Sequence, residues 1–154
     1  MEEIIIELTF KRLHTEALST DDNRLRNAAV DAAKRAYAPY SHFNVGAAIL
    51  LKDGTIVEGS NQENMAYPSG LCAERVALFS AGASFPDKPV VAMAIVAIKN
   101  GIIQSVITPC GGCRQVMLET ERRYGQPIRI LLCGQDETVI VASAKDLLPL
   151  SFEM

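Results

Sequence analysis

Nothing in the sequence approaches the roughly 20 consecutive apolar residues of a membrane-spanning helix, and its opening, MEEIIIELTF, is acidic where a secretion signal would carry basic residues. These two absences predict a chain that avoids membranes and works in the cytoplasm. There is no surplus of positive charge either: 15 Lys and Arg stand against 18 Asp and Glu, for a net charge of −3. Without a basic run nothing draws the chain to a polyphosphate, and nucleic acid is not an expected partner. Histidine is nearly missing, with two residues. His14 lies in a polar stretch and His42 in a loop between Ser41 and Phe43, so neither is nominated as a ligand. Cysteine is scarce, at four. In a reducing compartment Cys72, Cys110, Cys113 and Cys133 read as ligands, nucleophiles or core residues instead of disulfide partners. Repeats and low-complexity linkers are absent too.

What is present suits one domain. The chain has 154 residues, 49% of them hydrophobic and 21% charged, and a domain of this length buries about 70% of the surface its unfolded chain exposes. Helix and strand signals alternate. The β-branched stretch 4–10 reads as an extra N-terminal strand or a strap lying on the body. Residues 22–37 read as a helix, with Ser19, Thr20 or Asp21 as cap and an apolar face through Leu25, Ala29, Ala32 and Ala36; Pro39 stops it. FNVGAAILL (43–51) and TIVEGSN (55–61) flank Lys52-Asp53-Gly54, a hairpin signal. Further on come a helix over 72–82, a buried strand over 90–98, a helix over 113–125 and a buried strand over 128–133. A last strand (138–142) and a short helix (144–148) complete the chain. This order predicts an α/β fold of three layers, α/β/α, around a mixed five-stranded sheet.

The motif with most chemical content is PCGGCRQ (109–115). Alone, Cys110-x-x-Cys113 fits a redox pair or an incidental buried pair as well as a metal site. Cys72 changes the balance, because it also opens a helix after a loop. Residues three apart in a first helical turn project the same way, and a helix N-terminus favours the thiolate that binds metal. Three thiolates leave one tetrahedral position of a zinc ion open, which separates catalytic from structural zinc. Glu74, two residues from Cys72, could then exchange protons with a water whose pKa zinc lowers to about 7. Three thiolates also weaken the metal as a Lewis acid. Arg75, the two helix N-termini and Arg114 are the candidates to offset their charge. Cys133, ending an apolar strand, reads as core.

CAE (72–74) with PCGGC (109–113) resembles the zinc-dependent nucleoside and nucleotide deaminases. The resemblance continues through YAPYSHFNVGAA (37–48), NQEN (61–64), AYPSGLCAERVALF (66–79), PCGGCRQV (109–116) and LLPLSF (147–152). Taken in order, these blocks look like the small single-domain cytidine deaminases over about residues 22–152. That resemblance implies the cytidine deaminase-like fold in residues 21–154, with 1–20 as an N-terminal extension without catalytic role. It implies hydrolysis of cytidine or deoxycytidine to uridine or deoxyuridine and ammonia, as in pyrimidine salvage. One zinc ion per chain would sit on Cys72, Cys110 and Cys113, with Glu74 as proton shuttle.

The same resemblance assigns Asn61 and Glu63 to the ribose hydroxyls, Phe43 to the face of the base and the backbone of Ala73 to the pyrimidine edge. It implies a homotetramer with shared active sites, Tyr67 and Phe152 approaching the site or its interface. Read without it, Phe43 at a strand start fits a core residue better than a platform for the base, and Asn61 and Glu63 after a strand fit turn residues equally well. Gly112 departs from the family, where alanine is more frequent. A deaminase of another substrate and a zinc-stabilised binding module are the other readings. NQEN favours a ribose-reading pocket, and an open fourth position argues against a purely structural metal.

Overall fold

The computed structural model describes residues 1–154. In chain order its strands are β1 (Lys11–His14), β2 (Phe43–Leu51), β3 (Ile56–Ser60), β4 (Val90–Lys99), β5 (Ile102–Ile103), β6 (Arg129–Cys133) and β7 (Glu137–Val141). The helices are α1 (Thr20–Lys34), α2 (Ala73–Ser84) and α3 (Gly111–Tyr124), with short 3-10 turns at Thr15–Ala17, Tyr67–Ser69 and Ala144–Leu147. All strands join one sheet in the order β1-β7-β6-β4-β2-β3, and β5 folds back on the end of β4. Of these, β2, β3, β4, β6 and β7 are the five expected from the sequence. The sheet is mixed because β4 and β6 run parallel, joined through α3, while every other pair is antiparallel. No helix is long and apolar enough to cross a membrane.

Two glycines explain how helices reach both faces. A Cβ on Gly46 would fall 1.9 Å from the Ala29 carbonyl oxygen, and one on Gly59 would fall 2.4 Å from the Ala77 amide nitrogen. Gly59 lies opposite Ala47, the neighbour of Gly46, so by strand alternation the glycines face opposite sides. Helix α1 therefore lies on one face, over Ala48, Ala94, Val96 and Leu131. Helices α2 and α3 lie on the other, over Ala47, Ile49, Met93, Ile95 and Ile130. Strand β4, central in the sheet, is buried on both faces along nearly its whole length. That is the three-layer arrangement.

Differences from the sequence reading have local causes. Helix α1 is capped by Ser19, whose hydroxyl accepts the Asp22 N–H at 3.1 Å, and ends at Lys34, before the expected 37. There the backbone is diverted into pairing: Tyr37 N–H donates to the Asn61 carbonyl at 3.0 Å, and Glu63 N–H to the Tyr37 carbonyl at 2.8 Å. Residues 4–10 form neither the strand nor the strap. They are exposed and irregular, and the strand starts at Lys11. Its partner β7 ends at Val141 and Lys11 already stands opposite Ile140, so residues before Phe10 run past the end of the sheet. Strand β5 was not expected from the sequence. Its turn is Asn100-Gly101, with φ of 53° and 76°, the two left-handed residues that a tight hairpin requires.

Candidate active site

Helices α2 and α3 start beside each other. Cys72 caps α2 and Cys110 caps α3, both in extended backbone conformation, and Cys113 lies in the first turn of α3. Cys72 Sγ is 3.9 Å from Cys110 Sγ, which is 3.4 Å from Cys113 Sγ. All three sulfurs lie within 4.8 Å of one another, and none is in a disulfide. Four-coordinate zinc with Zn–S of about 2.3 Å would separate its sulfurs by about 3.8 Å. The trio therefore fits a tetrahedral thiophilic metal, and at these separations no two of the sulfurs are bonded to each other. Cys113 is buried, Cys72 half-buried and Cys110 exposed, so the cluster opens on one side.

The electrostatics favour thiolate at Cys72. Cys72 is brought down to about 5, first by the hydrogen bond from the Cys113 thiol and then by Arg75, and Cys113 is correspondingly pushed up. An Arg75 guanidinium nitrogen lies 3.7 Å from Cys72 Sγ, while its buried Nε has no partner. Arg114, by contrast, does not serve the sulfurs. It donates to the Pro109 and Leu147 carbonyls at 2.8 and 2.9 Å, fastening the cysteine loop to the last 3-10 turn. Glu74 is only 4% exposed, and burial raises its pKa, with the negative charge at Cys72 adding to the effect. A carboxyl so placed holds a proton more readily than a surface glutamate.

Asn61, Glu63 and Phe43 reach the same end of the sheet by way of a backbone bridge. Gln62 N–H donates to the Leu71 carbonyl at 2.9 Å, and Leu71 N–H returns a bond to Gln62 at 3.0 Å. This holds Asn61 and Glu63 beside the residue that precedes Cys72. The Asn61 amide spans the start of β2, donating to the Phe43 carbonyl at 2.9 Å and accepting the Val45 N–H at 2.7 Å. Glu63 accepts the Tyr40 and Ser41 N–H groups at 2.8 and 3.2 Å and the Ser41 hydroxyl; these bonds, Ser41 foremost, lower its pKa. Ser41 went unnoticed in the sequence, although it stands inside YAPYSHFNVGAA. Phe43 is half-buried and Ala73 fully buried. Tyr67 and Phe152 are 80% and 74% exposed. Phe152 is nevertheless anchored, its carbonyl accepting from Gln115 Nε2 at 3.0 Å. Cys133 is buried in the core beneath α1, where desolvation raises it to about 11.

The model of the cytidine and deoxycytidylate deaminase zinc-binding region matches residues 19–124. Over 99 residues the chain is 48% identical to a cytidine deaminase of Halalkalibacterium halodurans, covering 64% of this chain and 71% of that protein. Over 112 residues it is 45% identical to a cytidine deaminase of Mycobacterium tuberculosis, covering 71% and 80%. Among solved structures, cytidine deaminase from Burkholderia pseudomallei superposes with a TM-score of 0.71 at 43% identity, over 84% of this chain and 98% of that one. The Mycobacterium tuberculosis enzyme superposes with a TM-score of 0.69 at 36% identity, over 88% and 100%.

Proposed function

Because the chain belongs to the cytidine and deoxycytidylate deaminase zinc-binding family, we propose that it hydrolyses cytidine and deoxycytidine to uridine and deoxyuridine with release of ammonia. The observation that carries the reading is the buried Glu74 carboxyl, raised in pKa, one turn-start away from three sulfurs spaced for one metal ion. Cys72, Cys110 and Cys113 would hold the zinc ion, which would supply the Lewis acidity that makes water a nucleophile near neutral pH. Glu74 takes the proton from the attacking water and delivers it to N3 of the base; as the C4–N bond breaks it takes the proton of the hydroxyl now on C4 and passes it to the departing amino group, leaving the C4 carbonyl of uridine. Its raised affinity for the proton suits a group that must hold it between those transfers. Arg75 offsets the thiolate charge at Cys72 and so preserves the metal's acidity.

Substrate is held by groups with capacity left over. Asn61 has a second amide hydrogen and a second lone pair beyond its bonds to β2, and Glu63 retains an acceptor site beyond its bonds to Tyr40 and Ser41. Both then grip the ribose hydroxyls. Phe43 lies against the base, and the Ala73 N–H, free of helical bonding at the start of α2, meets the pyrimidine edge. Tyr67 and Phe152 close the pocket across an interface in a homotetramer with shared sites, which fits the exposure of these rings on a single chain. Residues 21–154 are the catalytic domain, residues 1–20 an extension, and the setting is cytoplasmic pyrimidine salvage.

The decisive assay follows the ultraviolet change on mixing the protein with cytidine, deoxycytidine, deoxycytidylate and adenosine. Turnover of the first two alone is expected, with about one zinc per chain by metal analysis. Turnover of deoxycytidylate, or of none, defeats the reading.

A further inference from the structure

Residues 1–10 are the one long stretch with no hydrogen bond or ion pair to the rest of the chain. They are not polar. Ile4, Ile6, Leu8 and Phe10 recur at the period of a strand and are 87, 49, 40 and 45% exposed, while Glu3, Glu7, Thr9 and Lys11 fall on the alternate face with Ile5. The stretch leads directly into β1, which with β3 bounds the sheet and whose outer side pairs with nothing. An apolar segment continuing an open edge is a template for another strand.

The flanking charges identify the occupant. Glu2 and Glu3 precede the apolar run and Lys11 and Arg12 follow it. We infer that residues 2–12 pair antiparallel with the same residues of a second copy of this chain, about a two-fold axis through Glu7, extending the sheet of one chain into that of the other. In this register Glu2 faces Arg12, Glu3 faces Lys11, Ile4 faces Phe10 and Ile6 faces Leu8, each pair occurring twice by symmetry. Centring instead on Ile6 would set Glu2 against Phe10, and centring on Leu8 would set Ile4 against Arg12. Registers with no residue on the axis bring the apolar face of one strand opposite the polar face of the other. Only the Glu7 centre aligns both charge pairs with the apolar face, at the cost of one like-charged contact, Glu7 on Glu7. This contact goes beyond the assembly that would share active sites, because it uses residues that play no part in the pocket.

The register is testable in the full chain. Directly opposed residues of an antiparallel pair have Cα atoms about 4.5 to 5.5 Å apart, within disulfide reach. Glu7→Cys on the axis should therefore cross-link to itself under mild oxidation, while Thr9→Cys, about 13 Å or more from its symmetry mate, should not exceed the unmodified chain with its native cysteines. In the Glu7→Cys background, Glu3→Lys should slow cross-linking about five-fold or more, and adding Lys11→Glu should restore it. Melting curves check that each variant stays folded, since all these side chains are exposed. Cytidine turnover, read in parallel, tests the activity separately. Equal cross-linking of Glu7→Cys and Thr9→Cys, or a Glu3→Lys effect that Lys11→Glu leaves uncorrected, overturns the proposal.

Discussion

Arg75 reaches back across the first turn of α2 to set its guanidinium 3.7 Å from Cys72 Sγ, the residue that caps the same helix. Each stabilises the other's charged form: the cysteine is held low and the arginine high. Because Arg75 follows Glu74 directly, the start of one helix carries a cysteine of the sulfur cluster, a buried carboxyl and the cation nearest that cysteine.

Removing that cation should weaken the metal site. In Arg75→Ala, zinc affinity measured against a chelator should fall about 10- to 100-fold, with turnover reduced over the same range. Arg75→Lys, which keeps charge but lacks the planar fork, should recover part of the affinity. Unchanged zinc binding and turnover in Arg75→Ala would remove Arg75 from the site.

Glu74→Gln separates chemistry from metal binding. The amide keeps the shape of the side chain but carries no proton between oxygen and nitrogen, so kcat should drop by about 100-fold or more while zinc stays near one per chain. The buried carboxylate is costly to ionise, so the variant should also melt no lower than the parent. Loss of zinc together with activity would make Glu74 a structural residue.

Gly112 offers a stabilising change inside the motif. A Cβ there meets nothing within 4 Å, and its φ is not positive, so neither crowding nor conformation requires glycine. Gly112→Ala should stabilise α3 by about 0.5 to 1 kcal/mol and raise Tm by about 1 to 4 °C. A lower Tm in a thermal scan would contradict this.

These sites differ in how openly the sequence declares them. Cys72, Glu74, Cys110 and Cys113 are chemically distinctive and lie close to helix starts that spacing alone can find, so the clustering of the three sulfurs beside a carboxyl was legible. The route that brings Asn61 and Glu63 to it was not. It depends on the Gln62–Leu71 bridge, and an isolated backbone pair leaves no periodicity to read. The two faces of the sheet are set by Gly46 and Gly59, whose meaning appears only when α1 and α2 are packed against them. Asn100-Gly101 is a visible hairpin signal, but the strand after it is only two residues long and carries no alternation to read. Glu121 left no sequence signal at all. Its buried carboxylate accepts the Ile128 and Ala144 N–H groups, each at 2.7 Å, and the Ser143 hydroxyl, joining α3 to segments that lie apart in the chain.

The pairing of Asp22 with Arg129 should make the fold acid-sensitive in a defined direction. Two guanidinium nitrogens of Arg129, on β6, donate to the two carboxylate oxygens of Asp22, on α1, one of them at 3.1 Å. The Asp22 side chain is 12% exposed and that of Arg129 40%. The bidentate bond to Arg129 is the main reason the Asp22 carboxyl lies below its ordinary value. A carboxyl lowered in the folded state binds its proton more tightly when unfolded. Its stabilising effect is therefore complete above the unfolded value of about 3.9 and is lost as pH falls through that value toward the lowered one. Arg129→Met leaves the carboxylate without its partner and should cost about 1 to 3 kcal/mol at pH 7. Near pH 3 the difference in urea midpoint between parent and variant should shrink, because protonated Asp22 no longer needs the cation. A difference constant between pH 7 and pH 3 would mean that Arg129 stabilises the protein through the packing of its aliphatic stem and not through Asp22.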